Sequence, residues 1–179
     1  HILLANIHPE LQLSVIEQNK NPNAVIVVDT MNLWIETTFS ELKKVLTFSN
    51  ILLINESESK LLTKRANIEN AAEELLGMGP EIVVIKKGSE GAELFSKRET
   101  IKIGAFPVKE VIDPTGAGDV FAGTFIAALA EKDSNQTALL KASAMASFSI
   151  ESFGVDRLIN LSDYDLTERT EYLKTTVKS

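Results

Sequence analysis

Three short runs, Val25-Ile26-Val27-Val28, Ile51-Leu52-Leu53-Ile54 and Ile82-Val83-Val84-Ile85, are apolar at every position. A strand with one wet face alternates apolar and polar residues. A strand covered on both faces does not, and the usual setting for it is a parallel sheet held between layers of helices. The intervening segments have helical patterning, which sets up a βαβ rhythm. Strands are predicted at Ile2 to Ala5, Ala24 to Asp29, Ile51 to Ile54 and Ile82 to Ile85, with helices over Pro9 to Lys20, Phe39 to Thr47, Glu56 to Thr63 and Ile68 to Met78. Further on, Ala92 to Ser96 and Thr100 to Gly104 read as a hairpin around the polar Lys97-Arg98-Glu99 turn. Val108 to Ile112 reads as another strand, leading to a helix from about Val120 that carries Phe121, Phe125 and Leu129 at a spacing of four. Helices over Leu139 to Phe153 and Ser162 to Lys174 follow, the latter with Ser162 as a cap. The expected architecture is one doubly wound α/β domain spanning residues 1–179.

Composition narrows the partners. A net charge of −7 with no block of Lys and Arg offers no footprint for a nucleic acid backbone. No apolar run approaches the length of a membrane span, and the first residues lack the order of a signal peptide. Cysteine is absent, so disulfides, thiolate nucleophiles and cysteine metal sites are excluded. That pattern suits a reducing cytosol, and a cytoplasmic location is expected. The chain starts at His1, directly before an apolar strand-like segment, and reads as the later portion of a longer protein.

Chemistry concentrates in Asp113-Pro114-Thr115-Gly116-Ala117-Gly118-Asp119, where strand-like residues give way to a helix. Two glycines in three residues let the backbone turn tightly with its N–H groups facing inward, and the helix dipole adds partial positive charge. An anion of phosphate size fits such a corner. Asp119 falls in the first helical turn, where its carboxylate can take a hydroxyl proton, or where it can simply complement the helix dipole; spacing alone ranks the two readings about equal.

The stretch from Asp113 to Gly123 resembles the C-terminal signature of the ribokinase-like, phosphofructokinase-B type carbohydrate kinases. The resemblance implies a doubly wound α/β fold and transfer of the γ-phosphoryl group of ATP to a hydroxyl of a sugar or related small molecule. It makes Asp119 the catalytic base and the Gly116, Ala117 and Gly118 backbone the hole for the migrating phosphate. Asn55-Glu56-Ser57-Glu58, after the third strand, is similar to the family's Asn-x-x-Glu element. By that likeness Asn55 and Glu58 order Mg2+ and its waters near the nucleotide; on residues alone, Asn55 capping a helix and Glu58 closing a capping box is the stronger reading. Lys87-Gly88-Ser89-Glu90-Gly91-Ala92 resembles the nucleotide loop, with Gly88 and Gly91 in matching places, though an ordinary hairpin turn fits equally well. Lys86 stands where the family often has Thr. Ser143 stands where relatives frequently have Asn beside the nucleotide, and packing explains it as readily. Asp113 and Thr115 match positions that, with carbonyls near Ser149 and Gly154, hold a monovalent cation such as K+ in many relatives; Asp113 also suits a turn before Pro114.

No G-x-x-x-x-G-K-[S/T] sequence is present, which disfavours a P-loop kinase. His1 and His8 have no second ligand in sequence reach. Asp29 to Trp34 resembles a family segment near the cleft, with Trp34 read as packing and Asn32 as a minor substrate candidate. Two alternatives to the sugar kinase stand: a nucleoside kinase, because the same signature serves nucleoside acceptors, and a silent nucleotide-binding module. A homodimer is compatible with either. The fragment alone is expected to be inactive, because the family's substrate contacts and lid precede the region present here.

Overall fold

A computed structural model describes residues 1–178. The strands are β1 (Ile2–Leu4), β2 (Ile26–Asp29), β3 (Ile51–Asn55), β4 (Ile82–Lys86), β5 (Ala92–Ser96) and β6 (Thr100–Ile103). The helices are α1 (Pro9–Gln18), α2 (Asn32–Thr37), α3 (Phe39–Phe48), α4 (Glu56–Thr63), α5 (Ile68–Leu76), α6 (Ala117–Ala130), α7 (Asn135–Ser149), α8 (Asp156–Ile159) and α9 (Asp163–Lys174). The six strands form one sheet in the order β1-β2-β3-β4-β5-β6, and β1 to β4 pair in parallel. The chain is a doubly wound α/β protein, as the uninterrupted apolar runs predict. Its backbone divides into two compact units, one of residues His1–Lys86 with Leu94–Thr100, the other of Lys87–Glu93 with the chain from Ile101 onward.

In the first unit the apolar runs become the sheet core: Val27, Val28, Leu52, Leu53, Ile54, Val83, Val84 and Ile85 are all fully buried. Leu42, Val45 and Leu46 of α3 and Ala72 and Leu75 of α5 pack into the same core, each set at helical spacing. Parallel pairing puts the carboxyl ends of β2, β3 and β4 side by side, which fixes where ligands belong in such a sheet. Register sets Asn55 directly opposite Lys86.

In the second unit α6, α7 and α9 carry the core. Phe125, Leu139, Leu140, Ala142, Ala144, Phe148 and Leu173 are buried there. The small side chains of α7 are mostly buried, consistent with close helix approach.

Several boundaries differ from the pattern. Val108 to Ile112 is not a strand: Val111 and Ile112 are exposed, and no ladder of hydrogen bonds is available to that segment. It is tethered instead at its end, where the Ile112 and Asp113 N–H groups both donate to the Ile150 carbonyl, at 2.8 and 3.3 Å. The α7 helix runs four residues earlier than expected at both ends. Ser134 caps it by accepting the Thr137 N–H, a signal masked by the small apolar residues downstream. The α6 helix begins at Ala117, before Val120, because Gly116 turns the chain into it. Short helices α2 and α8 lack enough apolar periodicity to be read. Ser162 caps α9 as expected, in a capping box with Asp165.

Candidate active site

Two residues from the strand ends, Asp29 of β2 and Lys86 of β4, meet in the first unit. The Lys86 ammonium lies 3.0 Å from Asp29 Oδ2 and 3.3 Å from Oδ1, and Oδ1 also accepts the Thr30 N–H. Asp29 is buried, so a full charge sits out of water beside its partner. Asn55 caps α4: its side chain accepts the Glu58 N–H at 2.8 Å, and Glu58 Oε2 accepts the Asn55 N–H at 2.9 Å. The capping box weighed from sequence is therefore present. Glu58 is buried, and desolvation pushes its carboxyl above the usual range; the Asn55 N–H and the Lys86 ammonium pull it down, while Asp29 adds to the rise. Those influences make Asp29, Lys86 and Glu58 one electrostatic neighbourhood. The Asn55 side-chain carbonyl oxygen accepts both the Glu58 N–H and the Ser57 hydroxyl, at 2.8 and 2.6 Å, which leaves the Glu58 carboxylate as the group suited to the waters of the magnesium ion that the resemblance implies. Asp29 opens the segment that resembles one near the family's cleft, but motif reading assigned it no role of its own. Its position as the last residue of β2 was the available signal.

The loop after β4 belongs mostly to the second unit. Gly88–Glu90 forms a 3₁₀ turn closed by the Lys87 N–H on the Gly91 carbonyl at 2.8 Å. Gly91 has φ +96°, and a Cβ there would lie 2.0 Å from the Ile103 carbonyl oxygen, so glycine is required by conformation and by space. Gly88 is also left-handed, but its Cβ direction is open. Buried Glu93 takes Lys87 on one carboxylate oxygen and Lys102 on the other, each at 2.9 Å.

At the glycine corner the Ala117 N–H donates to the Pro114 carbonyl at 3.3 Å. Gly116 adopts φ +80°, and no side chain caps the α6 N-terminus. A Cβ at Gly116 would meet nothing within 4 Å, so the corner is open on that side. Asp119 is exposed in the first turn. Amides at a helix start without a capping side chain, together with the dipole, favour a negative group.

Asp113 Oδ1 accepts the Thr115 N–H at 2.9 Å, and hydrogen bonds from Thr115, hydroxyl before amide, hold the Asp113 carboxyl below its usual range. The structure brings Asp113 to the end of α7 through the Ile150 carbonyl. Gly154 is left-handed at φ +59° in the loop beyond. Ser143 is half-buried on α7. Of the remaining candidates, Trp34 donates to Asn6 Oδ1 at 2.9 Å and stands edge-on to His8, which caps α1. Asn32 opens α2 and is exposed. Among the described residues no helix is long and apolar enough to cross a membrane.

The sheet order and the helix that opens on a glycine with no capping side chain place the chain among the doubly wound α/β proteins. The model of the pfkB family carbohydrate kinases matches residues 3–160, and the chain belongs to that family. A cytidine kinase of Thermococcus kodakarensis is 33% identical over 131 residues, covering 69% of this chain and 45% of that protein. The structure of Arabidopsis thaliana ribokinase complexed with ribose and ATP is similar with a TM-score of 0.77 at 25% identity, covering 94% of this chain and 55% of that one. An Escherichia coli structure assigned provisionally as ribokinase II, in complex with ATP and Mg2+, gives 0.73 at 27% identity, covering 91% and 52%. The chain spans about half the length of these relatives.

Proposed function

We propose that the full-length protein transfers the γ-phosphoryl group of ATP to a hydroxyl of a sugar or related small molecule. The observation that carries this reading is the α6 N-terminus: it opens on left-handed Gly116 with no capping side chain and displays Asp119 in its first turn. The corner of Gly116, Ala117 and Gly118 holds the migrating phosphoryl oxygens, the Ala117 N–H giving up its 3.3 Å bond to the Pro114 carbonyl to do so. The substrate hydroxyl oxygen bonds to the γ-phosphorus as the bond to the ADP oxygen breaks, and its proton passes to the Asp119 carboxylate. The hydroxyl yields its proton because it becomes acidic as its oxygen bonds to phosphorus.

In this reading Lys86, Gly88, Gly91 and Ser143 serve the nucleotide, Asn55 and Glu58 order a magnesium ion and its waters, and Asp113 and Thr115 serve a monovalent cation. When bound, magnesium neutralises phosphate charge. Family membership supports the reading, as do relatives solved with ATP and with Mg2+. A coupled assay of the full-length protein against sugars with ATP and Mg2+ tests it; no transfer to any sugar or nucleoside would overturn it.

The identity to a cytidine kinase favours a second reading, in which the acceptor is a nucleoside. Turnover of nucleosides with no turnover of free sugars selects it. Because the chain spans about half its relatives' length, we expect it to transfer no phosphoryl group in isolation; sustained turnover by these residues alone would contradict that.

A further inference from the structure

In the second unit a buried guanidinium is held against the end of α7. Arg169, on α9, is 8% exposed. Its Cζ sits 3.4 Å from the centre of the Phe148 ring and 4.4 Å from that of Phe106. Nη1 donates to Ser147 Oγ at 2.8 Å, while Nη2 donates to both Glu151 oxygens at 2.8 and 2.7 Å. One side chain thereby grips the last turn of α7 and Glu151, two residues beyond its end. Arginine suits this place because its planar cation stacks on aromatic rings while its N–H groups stay aimed at acceptors in the plane. Ser147 in turn donates to the Ala144 carbonyl at 2.6 Å, so the acceptor is itself oriented.

The gripped segment holds the corner. Between Phe148 and Glu151 lies Ile150, whose carbonyl accepts both the Ile112 and the Asp113 N–H. Asp113 then accepts the Thr115 N–H, and Gly116 follows, opening α6. The stretch from Phe106 to Ile112 has no sheet ladder to fix it. Its attachment to Ile150 therefore decides where the corner starts.

We propose that Arg169 is a positioning residue for phosphoryl transfer, holding the Asp113–Asp119 corner in place through Glu151 and the Ile150 carbonyl. It touches no reacting atom, and its role rests on the proposed reading of that corner. Loosening the anchor misplaces the corner amides and Asp119 together, which lowers kcat more than it weakens nucleotide binding, because sub-ångström placement matters most in the transition state. Arg157 lies 3.7 Å from Glu151, so partial compensation exists for Glu151 but not for Ser147.

The test uses full-length Arg169→Lys and Glu151→Gln, with circular dichroism confirming that each is folded. Both should lower kcat on the order of 10–100-fold with KM for ATP changed far less. Amide hydrogen exchange should rise at residues 112–119 and stay unchanged in β2 to β4. Glu151→Gln keeps the Arg169 stack on both rings, so it reads the anchor even where Arg169→Lys fails to fold. Wild-type kcat and unaltered exchange at 112–119 in folded variants would overturn the proposal, as would exchange that rises evenly across α6, α7 and α9. A wild-type protein that transfers no phosphoryl group would instead overturn the kinase reading, and the exchange measurement would still decide whether Arg169 anchors the corner.

Discussion

Lys86 Nζ lies 3.0 Å from Asp29 Oδ2, joining the last residues of β4 and β2 across the end of β3. Both side chains are largely withdrawn from solvent, so each ion depends on the other more than a surface pair would. Lys86→Met is expected to cost about 3 kcal/mol, the scale for removing one member of a buried ion pair. Asp29→Asn in the same chain should recover part of that loss. Chemical denaturation of the two single variants and the double variant measures the coupling; additive effects would show that the pair is energetically independent.

Asp119→Asn in the full-length protein should lower turnover by roughly 10²–10⁴ while leaving ATP affinity nearly unchanged, since the amide keeps the shape of the carboxylate and loses its basicity. Steady-state kinetics with calorimetry for ATP checks both halves. Equal turnover by variant and wild type would remove Asp119 from the role of base.

Glu58 separates capping from metal ordering. Its folded carboxyl is raised above the ordinary glutamate range, chiefly by burial. The protonated form therefore contributes stability that is fully present below the ordinary pKa and is lost as pH rises through the higher folded one. Glutamine keeps the capping-box geometry and has no charge to bury. Glu58→Gln should match or exceed wild-type Tm at neutral pH and lack the wild-type decline as pH rises above the ordinary glutamate value of 4.5. Under the kinase reading it also raises the magnesium concentration needed for half-maximal rate. Melting curves across pH and a magnesium titration measure the two effects separately.

The two left-handed glycines Gly91 and Gly116 should respond differently to alanine. At Gly91 the new Cβ would run into the Ile103 carbonyl as well as the backbone preference, so the chain must shift and the cost should exceed about 3 kcal/mol. At Gly116 the space is open and only the φ penalty remains, about 1–2 kcal/mol. Gly116→Ala should thus fold yet lose activity out of proportion to its stability. Thermal melts alongside turnover test the contrast, and equal destabilisation at the two positions would contradict it.

Much of the layout was legible because it rests on local pattern. Residues apolar at consecutive positions marked β2, β3 and β4, and Glu56–Thr63 was bounded correctly by its Asn55 cap. The glycine corner announced itself through residues that tolerate φ values others avoid. Less visible were features created by distant segments. Asp29 and Lys86 are 57 residues apart, and neither run signals the other. Arg169 looks like one more charged residue on an exposed helix until Phe148, Phe106 and Glu151 surround it. Val108 to Ile112 has strand-like composition but finds no neighbouring strand to bond.

By itself, then, the sequence determined the alternation of strands and helices, the parallel sheet and the left-handed corner at Gly116, because burial on two faces and left-handed backbone are demands that single residues and short runs must satisfy locally. Tertiary structure alone decided which charges neutralise each other and what anchors the corner. Ion pairs and stacked guanidinium groups depend on distance in space, and separation along the chain carries no record of it.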